Sequence, residues 1–171
     1  DGLVDGLVSR PEACTYSAQA GVCGLPGVTA ADCLTTQEAS AIDRMWDGPR
    51  DDAGQRIWVP YERGSNAAVN SPDACGNLGL NCWAHKDNKF DWRLLPFDQF
   101  DDEAALAFSV VAPYTDVSST ALQAVRDRGA KIIMWHGTLD QAIPPQQSAA
   151  YYEDALQNLG GQAALGAWFR L

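Results

Sequence analysis

The stretch GAKIIMWHGTLDQAIPP, residues 129–145, narrows the possible folds more than any other part of the chain. Lys131 to Trp135 is a short apolar run with β-branched residues, bracketed by glycines. It is too short for a buried helix and lacks polar alternation, so it predicts a strand covered on both faces. Helical patterns flank it. Upstream, Ser118 is placed to cap a helix running to Arg128, Val117 to staple onto Leu122, and Gly129 to stop it. Downstream, Pro145 can open a helix whose Ala149, Tyr152, Leu156 and Leu159 form one stripe. Gly160 and Gly161 stop that helix, and ALGAWFRL reads as the next strand. Helix, strand, loop, helix, strand is the alternation of a parallel α/β sheet. Functional groups on such sheets gather beyond the carboxyl ends of strands, and Asp140 lies at such a place.

The first two thirds of the chain read differently. CLTTQEASAIDRMWDGP predicts one helix with both ends marked. Thr35 and Glu38 make a capping box, Ala39, Ile42, Met45 and Trp46 share a face, and Gly48 with Pro49 ends it. Residues 48–115 show no strong period. They are rich in aromatic residues, among them Trp58, Trp83 and Trp92, and are interrupted throughout by turn residues. An irregular insertion that packs through its aromatics is the expectation. Core packing is the commoner use of such tryptophans, and none is assigned to a ligand.

Five cysteines are present in 171 residues. Cys23 with Cys33, and Cys75 with Cys82, each bracket a turn-rich loop, which suits local disulfides formed in an oxidising compartment. Cys14 is left over and asks for a partner outside this sequence. Zinc is disfavoured, because there is no CxxC and only two histidines occur. A net charge of −10 argues against nucleic-acid and anionic-membrane partners. No apolar run is long enough to span a bilayer.

Asp140 is the leading catalytic candidate. A carboxylate after a buried strand can orient a histidine and stabilise the imidazolium formed during acyl transfer. Its partners are missing. No G-x-S-x-G elbow occurs, Gly64-Ser65 being the nearest dipeptide, and no histidine follows Asp140. His136, at the strand end, is read as structural, and His85 as a loop residue. At the other end, DGLVDGLV opens the chain. Asp1 and Asp5 offer carboxylates, and Gly2 and Gly6 permit turns that aim backbone carbonyls inward. That composition suits calcium, although two carboxylates are few for a six-to-eight-oxygen shell. Two successive Asp-Gly turns are the plainer alternative.

KIIMWHGTLDQAIPPQQSAAYYEDAL resembles the acid-turn region of the tannase and feruloyl esterase family: a strand, HG, two variable residues, D, then IPP and a helix with YYE. DGLVDGLV followed by Cys14, Cys23 and Cys33 resembles that family's calcium loop and cysteines. TDVSSTALQAVRDRGAKI is similar to the segment that enters the core before the acid strand. The likeness is diffuse between about residues 50 and 112.

The resemblance implies part of an α/β-hydrolase core plus an irregular, disulfide-containing lid domain. Residues 1–115 would be the lid, with the calcium loop at its start, and residues 116–171 the portion of the core carrying the triad acid. It implies a secreted or periplasmic serine esterase acting on small esters of aromatic acids through a Ser-His-Asp triad. Asp140 matches the acid. Asp1 and Asp5 match carboxylate ligands of a structural calcium, Leu3 and Leu7 match carbonyl ligands, and Cys23–Cys33 matches a lid disulfide. The family loop starts earlier, roughly C-D-x-x-D-G, and its cysteine would partner Cys14. The chain is therefore expected to be an internal fragment, inactive alone, whose partners are the remaining parts of the same polypeptide. The rival expectation is a secreted calcium-binding, ligand-binding module without catalysis.

Overall fold

The computed structural model describes residues 4–66, 82–87 and 89–171. They fall into two compact units. One comprises Asp1–Ala67 with Gly137–Gln146, the other Ala68–His136 with Gln147–Leu171. These are units of packing within the chain. The expected division into residues 1–115 and 116–171 is of a different kind, a lid and a core.

In the first unit, α1 (Thr36–Asp47) forms as its sequence predicts. Thr35 Oγ1 accepts from the Glu38 amide at 3.2 Å, and Glu38 Oε2 accepts from the Thr35 amide at 2.7 Å. The box satisfies orphan amides of the first turn, and the two hydrogen bonds from Thr35 hold the Glu38 carboxyl below its ordinary range. Gly48 caps the far end with φ 84°, where an added Cβ would also crowd Trp58 and Pro60. Ala39 is fully buried, whereas Met45 of the same predicted face is exposed. A short 3-10 turn, Ala18–Gly21, packs on α1 through Asp43, which accepts from Ser17 Oγ and from the Ala18 amide, each at 2.8 Å. Cys23 and Cys33 form a disulfide. Cys14 has a free thiol.

The second unit holds the α/β element. Strand β1 (Ile132–Ile133) runs parallel to β2 (Phe169–Arg170), with Ile132 opposite Phe169 and Ile133 opposite Arg170. The Ile132 amide donates to Trp168 O at 2.7 Å and the Met134 amide to Arg170 O at 2.8 Å. The strand lies within the predicted Lys131–Trp135 but is shorter. With only one neighbouring strand among the described residues, nothing extends the ladder, and Ile133 and Trp135 are each 83% exposed.

Three helices of this unit depart from the sequence pattern and one follows it. The longest, α2 (Phe100–Thr115), lies in the stretch expected to be irregular. Beyond its first turn nearly every residue is apolar, and Pro113 sits inside its last turn, so neither periodicity nor breakers point to it; the acidic Asp101, Asp102 and Glu103 in its first turn, favourable to the helix dipole, are the available signal. The segment after Asp116 is a 3-10 turn, Ser119–Leu122, followed by α3 (Gln123–Asp127). Ser118 caps it by accepting from the Thr120 amide, but Val117 is 62% exposed and does not staple. The tight 3-10 turn replaces the regular first turn that a staple requires. Next, α4 (Gln146–Asn158) forms as expected and stops at Gly160, φ 95°. A further helix, α5 (Gly161–Leu165), then precedes β2, so the tail is mostly helical.

Ala155, Leu159, Leu165, Trp168 and Phe169 form the buried core of this unit, joined by Ile132, Met134 and Tyr152. The Tyr152 ring meets Phe169 edge-on at 5.0 Å and its hydroxyl donates to Phe169 O at 3.3 Å. Ser119 is the buried polar residue here. Its hydroxyl donates to Asp154 Oδ2 and accepts from Asn158 Nδ2 at 3.2 Å, tying the 3-10 turn to α4. Cys82 is an exposed free cysteine, against the expected bridge to Cys75, which itself lies outside the described residues. The helical turn at 82–85 holds Cys82 outward.

Candidate active site

The loop between β1 and α4 carries Asp140, and its geometry is that of a held carboxylate. The Asp140 amide donates to Gly137 O at 3.1 Å. Oδ1 accepts from the Ala142 amide at 2.8 Å and the Ile143 amide at 3.0 Å. An Asp that collects the next amides along the chain closes a turn around itself. Two N–H donors fix which oxygen faces the backbone, and with it the plane of the carboxylate. The side chain is half-buried.

This loop packs within the first unit. Gly64 has φ 94°, and a Cβ there would lie 2.6 Å from Val8 Cγ2 and 3.5 Å from Leu139 Cδ2, so only glycine fits. Gly64-Ser65 is thus a packing turn. Beside it, Gln146 Nε2 donates to Glu62 Oε1. Burial pushes the Glu62 carboxyl up, Glu12 adds to this, and Gln146 and Arg63 pull the other way. Arg63 donates from Nε to Tyr16 O at 2.8 Å and lays its guanidinium 5.3 Å from the Trp46 ring centre.

His136 and His85 are both engaged. His136 Nδ1 lies 2.7 Å from Ser148 Oγ on α4. His85 Nε2 lies 2.7 Å from Glu103 Oε2 on α2, and its ring stacks on Phe90 at 3.8 Å. His85 is therefore a partly buried anchor rather than a loop residue. A groove of about 410 Å³ runs beside it, lined by Cys82, Trp83, Lys86, Val110, Val111 and Tyr114.

Of the expected metal ligands, Asp1 and Leu3 lie outside the described residues. Asp5 Oδ1 accepts from the Leu7 amide at 3.0 Å, an Asp-centred turn like that of Asp140. Among the described residues no group of three or more His, Cys, Asp or Glu side chains converges on a metal-sized site. Asp5 and the Leu7 carbonyl are hard oxygen donors of the kind calcium takes, but two donors do not make its shell.

The model of the family described as tannase and feruloyl esterase matches residues 64–171. The chain belongs to this family. Its relatives include a probable feruloyl esterase of Arthroderma benhamiae, 24% identical over 100% of this chain and 34% of that protein. A mono(2-hydroxyethyl) terephthalate hydrolase of Piscinibacter sakaiensis is 26% identical over 99% of this chain and 36% of that protein. The crystal structure of feruloyl esterase B from Aspergillus oryzae superposes with a TM-score of 0.79 at 19% identity, covering 99% of this chain and 34% of that chain. The fold is thus a portion of the α/β-hydrolase architecture of these family members. The chain spans about a third of the length of these relatives.

The sequence places Asp140 after the strand, where the structure also has it, but gives no sign of the residues that pack with its loop, Glu62 and Gly64, or of the Gln146 contact. The Gly64 conformation and the Gln146 contact join segments far apart in the chain. A helix-opening Pro-Pro-Gln-Gln-Ser offers no local sign of either partner.

Proposed function

We propose that this chain is the acid-bearing segment of a secreted serine esterase that hydrolyses esters of aromatic acids. The observation that carries this is Asp140, held by two backbone amides in the turn after a parallel strand, in a chain of the tannase and feruloyl esterase family. In the full-length enzyme a serine Oγ attacks the ester carbonyl while a histidine takes its proton. The tetrahedral intermediate collapses, and the alcohol leaves with that proton. Water, deprotonated by the same histidine, then releases the acid. Asp140 holds the imidazole in the productive tautomer and offsets its charge. Oδ1 belongs to the loop, and Oδ2 is the oxygen assigned to the imidazole. The serine and histidine are supplied by other parts of the polypeptide, so residues 1–171 alone are inactive. Residues 1–115 serve as lid and residues 116–171 as core.

Calcium belongs to the same proposal. Asp1, Leu3, Asp5 and Leu7 would give four of its oxygens, with the rest from elsewhere in the full-length protein. The ion would brace the base of the lid and takes no part in the chemistry.

The test is turnover of a methyl hydroxycinnamate or gallate ester by the full-length protein and its Asp140→Ala variant. A fall of orders of magnitude is expected; wild-type turnover in the variant removes Asp140 from the mechanism.

A second reading, an aromatic-ligand-binding module without catalysis, draws on the groove beside Trp83 and Tyr114. It requires residues 1–171 alone to bind a phenolic acid, seen as quenching of tryptophan fluorescence that Trp83→Ala abolishes. Binding by a catalytically silent full-length protein would favour this reading over the first.

A further inference from the structure

We propose that His136 and Ser148 clamp the neck of the loop that carries Asp140 and act as positioning residues for it; this rests on the reading of Asp140 as the catalytic acid. His136 follows β1 and Ser148 sits in the first turn of α4, twelve residues apart in sequence, with Nδ1 and Oγ 2.7 Å apart. Both side chains are half-buried. The residues between them form the acid loop, whose backbone leaves the second unit after His136 and re-enters it at Gln147.

Inside the loop, the Asp140 turn is closed by its own amides. Those local bonds fix the carboxylate within the loop, and the Gln146–Glu62 contact holds its last residue, but neither ties the loop's two ends to each other. A hydrogen bond across the neck supplies that constraint. It holds the exit and return points together and removes much of the freedom of a short closed segment. Ser148 is suited to this. A serine in the first helical turn can otherwise bond its own backbone, yet its hydroxyl is directed across the neck instead. The imidazole is suited as well, since either neutral tautomer and the protonated ring can satisfy a hydroxyl that both donates and accepts. Triad chemistry tolerates little displacement of its members: about 1 Å of misplacement can cost on the order of 100-fold in rate. A clamp remote from the reacting atoms therefore has a rate effect out of proportion to one hydrogen bond.

The experiment uses the full-length esterase and a chromogenic aryl ester. Competent sites are counted from the burst of released phenol, so that turnover is expressed per active site. Ser148→Ala is the informative variant, because alanine keeps the helix. Ser148→Ala and His136→Ala should each lower kcat per counted site by about 10- to 100-fold with KM within about twofold. The double variant should be no worse than the worse single one, and Ser148→Thr should restore most of the rate. Full turnover per counted site in Ser148→Ala, with only a lowered Tm, would overturn the proposal, as would additive losses in the double variant. Asp140→Ala is run alongside: wild-type turnover there brings down the acid assignment itself, whereas its loss combined with an unaffected Ser148→Ala brings down the clamp alone.

Discussion

Asparagine at position 140 separates the charge of the carboxylate from its structural work. In Asp140→Asn the side-chain oxygen can still accept from the Ala142 and Ile143 amides, now 2.8 and 3.0 Å from Oδ1. Two N–H donors select the carbonyl over the NH2 group, because the reverse orientation would set donors against donors. The NH2 is thereby turned to the imidazole, where it faces an N–H and favours the wrong tautomer. The loop should therefore persist while the base fails. By analogy with other triads, kcat should fall by about 10⁴, on the order of 5 kcal/mol of transition-state stabilisation. Asp140→Ala should fall as far in rate but also release two amides. At about 1 kcal/mol for each hydrogen bond, part of it recovered by solvent at this half-buried site, it should lower stability by roughly 1–2 kcal/mol. The assay is initial rate on a methyl hydroxycinnamate by the full-length protein at neutral pH, with thermal melts of both variants. An asparagine variant retaining more than a tenth of wild-type kcat would refute the tautomer argument. One that melts as low as the alanine variant would refute the assignment of Oδ1 to the backbone.

Three further outcomes follow from the same geometry. Glu62 binds its proton more tightly when folded than when unfolded, so its contribution to stability is full below the ordinary glutamate range and is lost as pH rises through the raised folded value; Glu62→Gln should melt higher than wild type near pH 7, with the gap closing toward pH 4, and a constant gap across that range would contradict it. The Cys23–Cys33 bridge closes a loop with a sequence separation of 10, worth about 2–3 kcal/mol in the chain-entropy account; the Cys23→Ser/Cys33→Ser double variant should lose that much in urea melts, and an unchanged midpoint would count against it. Calcium chelation should lower the Tm of the full-length protein and leave the Tm of an Asp5→Ala variant unmoved; equal shifts in both would place the ion elsewhere.

How much of this was legible beforehand depended on where each signal resides. Helix α1 was fully specified by its own residues, because a capping box, an apolar face and a glycine stop all act within one helix. The β1–α4 order was equally local, and with it the position of Asp140 after a strand. Helix α2 was hidden because beyond its acidic first turn it is apolar on nearly every face, leaving no period to read, and an internal proline argued against it. The seating of the acid loop was hidden for another reason. Gly64, Glu62 and Gln146 matter through contacts between segments about 80 residues apart, such as the 84-residue separation of Glu62 and Gln146.

The same distinction accounts for how the site is divided. The Asp140 turn is written locally, down to the amides that hold Oδ1, whereas the Gln146–Glu62 contact and the His136–Ser148 hydrogen bond join residues further apart in the chain. Under the proposed function, the serine and imidazole that use this carboxylate come from other parts of the polypeptide. The exposed Ile133 of β1 and Trp135 just beyond it agree with this, since strands of a parallel sheet are normally covered on both faces. Substitutions at Ile133 or Trp135 should therefore alter association with the rest of the enzyme, measured by recovery of activity when residues 1–171 are mixed with the complementary segments, more than they alter the melting of this chain. Equal effects on both would mean that the face is not an internal joint.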